Sequence, residues 1–159
     1  MDTLRWAAPE WHETVGSTNA VALDDPRPGR VVVADHQTAG AGRRGRRWDS
    51  PPGTGMAISA VVPAVDPEVI GWVPLAAGLA LAEALADSRW PVDAVLKWPN
   101  DVLVPLRGSR PGAGGAARGA HPDQVPVLQS GGRSWGKVAG VLAQVAGDGA
   151  VVVGTGVNV

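Results

Sequence analysis

The passage that decides the architecture is Lys137-Val138-Ala139-Gly140-Val141-Leu142-Ala143-Gln144-Val145, followed by Ala146-Gly147-Asp148-Gly149 and then Ala150-Val151-Val152-Val153-Gly154-Thr155-Gly156-Val157-Asn158-Val159. Two apolar runs, Lys137–Val145 and Ala150–Val159, flank Gly147-Asp148-Gly149, and this spacing predicts a β-hairpin. Val151-Val152-Val153 is apolar at consecutive positions, so the strand needs neighbours on both faces. The missing cover is expected from a partner or from chain continuing past Val159.

Working outward, Ala94–Trp98 and Asp101–Val104 read as strands around a Pro99-Asn100 turn. Between Pro105 and Gly136 lies a Gly-, Ala-, Arg-, Pro- and Ser-dominated stretch without periodicity, expected to be an irregular or disordered insertion at about 105–136. Leu75–Leu85 is rich in alanine and leucine and is the clearest helix. Asp66-Pro67-Glu68 could open it earlier, but Pro74 moves the first regular turns to about Gly71. Met56–Val62, Arg30–His36 and His12–Gly16 read as strands. Gly16-Ser17-Thr18-Asn19 offers a capping residue ahead of the helix-compatible run Ala20–Leu23. Strands outnumber helices in a mixed order, which predicts one α+β domain over 1–159: a mixed, mainly antiparallel sheet with helices packed on one face.

Composition narrows the chemistry. Fourteen Lys and Arg against fifteen Asp and Glu leave a net charge of −1, so the chain lacks the spread of basic charge that general nucleic-acid binding uses. There is no cysteine, which excludes disulfides, thiolate metal sites and cysteine nucleophiles. Three scattered histidines suggest no metal site, and seven tryptophans supply all the aromatic surface. No apolar run reaches the roughly 18 residues of a spanning helix, and the first eleven residues lack a signal core. No membrane association and a cytoplasmic location are expected.

One segment departs from this even charge. Gly40-Ala41-Gly42-Arg43-Arg44-Gly45-Arg46-Arg47-Trp48 places four arginines within five residues among three glycines. Permanent charge on a pliable backbone suits a loop closing over a carboxylate or phosphate. Taken singly, each motif has a plainer explanation. The loop could be a solvated basic turn, and Lys97-Trp98-Pro99-Asn100-Asp101 a surface ion pair worth under about 1 kcal/mol. Lys137 could mark a strand end, Gly154-Thr155-Gly156-Val157-Asn158 a β-bulge, and Ser17-Thr18-Asn19 a helix cap.

Their order is more specific than any one of them. Ser17-Thr18-Asn19, Gln37-Thr38-Ala39-Gly40 running into the arginine loop and Trp48, Lys97-Trp98-Pro99-Asn100-Asp101, Lys137-Val138-Ala139-Gly140-Val141-Leu142 and Gly154-Thr155-Gly156-Val157-Asn158 together resemble the biotin–protein ligase family. The resemblance spans the chain apart from the insertion. It implies a catalytic domain of the class II aminoacyl-tRNA-synthetase and biotin ligase type. Such enzymes join biotin to ATP, hold biotinyl-5′-AMP, and pass biotin to a lysine of a biotin carboxyl carrier domain.

By that resemblance, Ser17, Thr18, Asn19, Gln37, Gly42, Arg43, Lys137 and Gly140 would contact biotin. Arg43, Arg46, Trp48, Lys97, Asn100 and Asn158 would contact the nucleotide. Arg43, Lys137 and Asp101 would serve the chemistry, with Asp101 also a candidate magnesium ligand. Two anions must meet in this reaction, so Arg43 and Lys137 supply the field that offsets their repulsion. No nucleophilic side chain is needed, in keeping with the absence of cysteine.

The chain departs from the family pattern in three ways. Ala41 stands where a second loop arginine is usual. The insertion separates Asp101 from Lys137. Family members also continue beyond the Gly-Val-Asn strand with more catalytic-domain chain and a small β-domain that helps hold ATP, so a C-terminally incomplete domain is expected. Sixteen residues ahead of Ser17 are too few for a helix-turn-helix, so no DNA-binding domain is expected; a homodimer is compatible with the resemblance. The alternatives are a lipoate or octanoate ligase or transferase of the same superfamily, and a truncated biotin-binding domain without turnover.

Overall fold

The computed structural model describes residues 4–48, 51–106, 128–130 and 133–158. Among them, eight strands form one sheet and two α-helices pack on it. The strands are β1 (Glu10–Val15), β2 (Val31–Gln37), β3 (Gly55–Val62), β4 (Val95–Lys97), β5 (Asp101–Pro105), β6 (Leu128–Ser130), β7 (Arg133–Val145) and β8 (Val151–Asn158). Their order across the sheet is β1-β2-β3-β8-β7-β5-β4, with β6 also paired to β7. Only β1–β2 is parallel, and the helix α1 (Thr18–Asp24) makes that crossover. The other ladders are antiparallel, as the expected mixed sheet requires.

The β7–β8 hairpin forms where the sequence places it. Val145 pairs with Val151. Gly149 takes φ 90°, a left-handed conformation that glycine adopts without Cβ strain. Strand β8 then pairs with β3 over its whole length, from Val62 opposite Val151 to Gly55 opposite Asn158.

The layering differs from the expectation of helices on one face. Val152 packs with Ala22 of α1, Val32 and Val61, whereas Val151 and Val153 pack with Val73 and Ala77 of the second helix, α2 (Val73–Ala86). Neighbouring residues of a strand point to opposite faces, so α1 and α2 cover opposite sides of the sheet. The cover that Val151-Val152-Val153 demands is therefore supplied by this chain's own two helices. A single 3₁₀ turn, Ile70–Trp72, leads into α2, and Pro74 sits in its first turn, where a missing N–H costs nothing.

Strand structure also enters the stretch read as irregular. Leu128–Ser130 pairs with Arg133–Trp135, and β7 begins well before Lys137. Ladder hydrogen bonds are made by the backbone, so such a pairing needs no apolar periodicity to announce it. The rest of the stretch, 107–127 and 131–132, lies outside the described residues.

One irregularity positions the site. Along β5–β7, Val102 faces Ala139 but Leu103 faces Lys137, so Val138 is the extra residue of a β-bulge. Val138 and Ala139 both join the cluster under Leu81 and Leu85 of α2. Alternation is broken there, and Lys137 emerges on the face that carries Gly140 and α1.

Candidate functional site

The arginine segment folds back on itself as a short tongue after β2. Trp48 N–H donates to Gly40 O at 2.9 Å and Gly42 N–H to Arg46 O at 2.7 Å, with Ala41 bridged to Arg47. Arg44 and Gly45 turn the tip with φ of 59° and 70°. Arg47 Nη2 donates to Thr38 O at 2.7 Å and pins the base. Arg43 and Arg46 line a cavity of about 330 Å³ beneath the tongue, a size that suits one small ligand. Among the described residues, none of the four loop arginines is in an ion pair.

The facing wall comes from β5, β7 and β8. Lys137, Asn100, Gly140, Gly156 and Asn158 line it. Lys137 Nζ is 2.6 Å from Asp101 Oδ1, and both side chains are mostly buried. Asp101 Oδ2 lies 3.4 Å from the more exposed Lys97 Nζ. Gly140 and Gly156 are cross-strand partners, and the Trp48 indole lies against both. Lys137 Nζ also stands 5.1 Å from the Trp48 ring centroid, within cation–π range. Asn100 Nδ2 donates to Val141 O at 2.9 Å, and Asn158 Nδ2 to Lys137 O at 3.2 Å.

The inner end is neutral and held by buried hydrogen bonds. Ser17 occupies the N-cap of α1 but its side chain caps nothing. Gln37 Oε1 instead accepts from Thr18 N–H at 2.8 Å, satisfying the first helical donor from β2. Thr18 Oγ1 is 3.2 Å from the same oxygen. Asn19 Nδ2 donates to Gln144 Oε1 at 2.7 Å, and its Oδ1 accepts from Ser59 Oγ at 2.6 Å. Gly154 leaves room for that amide, because a Cβ there would collide with Asn19 Oδ1.

Of the residues singled out in the sequence, Ser17, Thr18, Asn19, Gln37, Gly42, Arg43, Arg46, Trp48, Asn100, Lys137, Gly140 and Asn158 line this one cavity. Lys97 and Asp101 do not line it; they reach it through the Lys137–Asp101 contact. Sequence reasoning quoted Gly154 and Thr155 in a motif without giving them a role, and missed Ala57 in the wall and Ser59 and Gln144 behind it. A signal for Ser59 existed: on β3 the fully buried alternation is Gly55, Ala57, Ser59, Val61, with one hydroxyl among small and apolar residues.

Chemically, three arginines (Arg43, Arg46, Arg47) and one lysine surround the outer part of the cavity, and amide and hydroxyl groups its inner part. An elongated ligand with an uncharged hydrogen-bonding head and an anionic tail matches that division. Among the described residues no group of three or more His, Asp or Glu side chains is placed to hold a metal, and no helix is long and apolar enough to cross a membrane.

Known proteins resemble this chain in both sequence and fold. The sequence model of the biotin/lipoate A/B protein ligase family matches residues 11–158. The biotin–[acetyl-CoA-carboxylase] ligase of Mycobacterium tuberculosis (strain ATCC 25618 / H37Rv) is 37% identical over 172 residues, covering 99% of this chain and 53% of that protein. The ligase of the same name from Paracoccus denitrificans is 34% identical, with 89% of this chain and 50% of that protein covered. In three dimensions the chain is similar to a biotin protein ligase from Aquifex aeolicus in complex with biotin and ATP. That match has a TM-score of 0.65 and 30% identity, over 95% of this chain and 52% of that one. The chain thus spans about half the length of the relatives it matches.

Proposed function

Because the chain belongs to the biotin/lipoate A/B protein ligase family, we propose that it carries the biotin-activating site of a biotin–protein ligase. In this reading it condenses biotin with ATP to biotinyl-5′-AMP and delivers biotin to a lysine of a carboxyl carrier domain. The observation that carries the reading is that Arg43 and Lys137, 94 residues apart in the chain, line one cavity whose inner end is Thr18, Asn19 and Gln37. A ureido head would sit among the amides and hydroxyl, and the carboxylate would reach the cations.

The chemistry then needs no protein nucleophile. A biotin carboxylate oxygen attacks the α-phosphorus of ATP, the bond to pyrophosphate breaks, and the acyl-adenylate forms. Arg43 and Lys137 offset the repulsion between the approaching anions, most strongly where water is excluded. The tongue shields the mixed anhydride from hydrolysis, and Trp48, Arg46, Asn100 and Asn158 face the nucleotide. The carrier's lysine amine then attacks the acyl carbon, and AMP leaves.

Asp101 does not fit a resident magnesium ligand in this scheme. Both of its oxygens face ammonium groups, and among the described residues it belongs to no group of three or more His, Asp or Glu side chains placed to hold a metal. Magnesium needs oxygen donors and dehydrates reluctantly, so it would enter on the nucleotide's phosphates. Asp101 serves here by holding Lys137.

The test is incubation of the chain with biotin, ATP, magnesium and a carrier domain, following pyrophosphate release and labelled lysine. Adenylate and label support the proposal. Biotin binding without either product reduces the chain to a binding domain, and tighter calorimetric binding of lipoate than of biotin overturns the substrate.

A further inference from the structure

Arg44 is the one tongue arginine outside the cavity wall. Arg43, Arg46 and Arg47 line the cavity, whereas Arg44 sits exposed at the tip. Its φ of 59° and ψ of 36° lie in the left-handed region, which glycine enters without Cβ strain. Gly45 beside it takes φ 70°, and a second glycine at 44 would make the same turn with less strain. Among the described residues Arg44 is in no ion pair. An arginine kept in strained backbone, exposed and unpaired, is a charge that folding of the tongue does not require.

The cavity mouth supplies the second half of the argument. Under the biotin–protein ligase reading, a carrier lysine must reach the acyl carbon. Its amine has an ordinary pKa of about 10.4, so it arrives from water as an ammonium. There it meets Arg43, Arg46, Arg47 and Lys137 around the outer cavity, with Lys97 exposed alongside. Asp101 and the single phosphate charge of an acyl-adenylate offset only part of that set. A carrier presenting its lysine alone would be repelled. One that brings carboxylates beside its lysine is drawn in.

We propose that Arg44 is a docking residue for the carrier domain, pairing with an acidic surface next to the acceptor lysine. It acts on the encounter with the carrier and not on activation of biotin. This rests on the biotin–protein ligase reading, from which the partner comes.

The experiment compares the 159-residue chain with Arg44→Gln and Arg44→Gly. The first removes the charge and keeps the Cβ; the second also relaxes the turn. The probe is a biotin carboxyl carrier domain, used unchanged and with the Asp and Glu residues flanking its lysine replaced by Asn and Gln. NMR titration of the isotope-labelled carrier gives its Kd without turnover, and pyrophosphate release gives adenylate formation without the carrier. Both substitutions should weaken binding of the unchanged carrier about fivefold at low ionic strength. The difference should vanish near about 1 M salt, where the screening length is about 3 Å. Against the neutralised carrier neither substitution should have any effect, since the pairing charge is already gone. Adenylate formation should be unchanged throughout.

Equal carrier affinity in the parent chain and Arg44→Gln overturns the proposal, as does a parent chain that binds no carrier at low salt. So does a loss that persists against the neutralised carrier, or one seen in Arg44→Gly alone, which would trace to turn geometry. Slower pyrophosphate release in Arg44→Gln would place this arginine at the nucleotide and overturn the docking role. A parent chain that forms no adenylate overturns the biotin-activating reading by itself, and the carrier titration still decides the role of Arg44.

Discussion

Lys137 Nζ and Asp101 Oδ1 meet at 2.6 Å across the β5–β7 ladder, next to the bulge that turns Lys137 onto the cavity face. Asp101 itself is held opposite Gly140, a position without a side chain to crowd the pair. The ammonium is thereby fixed in place while remaining on the cavity wall.

Removing either partner should separate chemistry from binding. Lys137→Ala is expected to slow adenylate formation about 10²–10³-fold while biotin affinity changes less than about threefold, because charge placed for the transition state is lost. Asp101→Asn keeps the amine but frees its position, and should slow the same step by about tenfold. Pyrophosphate release beside biotin calorimetry reads both; equal losses of rate and affinity in Lys137→Ala would assign the lysine a structural role.

Arg43→Ala should leave adenylate synthesis measurable but speed its escape. A charge-assisted hydrogen bond is worth roughly 1.5–3 kcal/mol, or about a tenfold or greater rise in the release rate. Escaped adenylate would label lysines at random on a bystander protein. An unchanged release rate would remove Arg43 from the ligand.

Two glycines of β8 should respond differently to alanine. At Gly154 the added Cβ meets Asn19 Oδ1, which Ser59 and the Gln144 contact hold in place, so about 1–3 kcal/mol of stability should be lost. At Gly156 the added Cβ meets the Trp48 indole, which belongs to the tongue and can swing aside. Gly156→Ala should cost under about 1 kcal/mol and weaken nucleotide binding instead. Urea unfolding of the two variants tests the contrast.

Stability should fall in acid through Glu10. Arg30 donates to both Glu10 oxygens at 2.8 Å and also to Val21 O and Asp25 O, tying β1, β2 and the end of α1. The Arg30 hydrogen bond holds the Glu10 carboxyl below its ordinary value of 4.5. A lowered carboxyl contributes stability above that ordinary value and loses it as pH falls through the lowered one. The stability gap between the parent chain and Glu10→Gln should be constant near neutrality and close in acid. Arg30→Ala, which also strips two carbonyls of their donor, should cost roughly 2–3 kcal/mol at pH 7. A gap that persists unchanged into strong acid would contradict this account of the pair.

Much of the site was legible because its residues are of types with few other uses in these positions. A glycine-arginine run, an amide-rich helix start and a lone lysine entering an apolar strand are visible without coordinates. Gln144 was not, because a residue behind the cavity wall leaves no mark on the ligand-facing pattern, and Ser59 showed only as the one hydroxyl in the buried alternation of β3. The pairing of Leu128–Ser130 with β7 escaped notice for a related reason: backbone hydrogen bonding is indifferent to side chains.

The sequence by itself determined every strand but Leu128–Ser130, the hairpin at Gly147-Asp148-Gly149, the need to cover Val151-Val152-Val153 twice, and the cation-rich tongue. Those follow from local propensity and from hydrophobic periodicity, which act over a few residues. Only the tertiary structure decided which helix covers which face and where Lys137 points. Strict alternation from Val141 through Ala139 would send Lys137 toward α2; the extra residue Val138, absorbed in pairing with a strand more than thirty positions earlier, turns it into the cavity. Strand register is set by partners distant in sequence, and no local pattern encodes it.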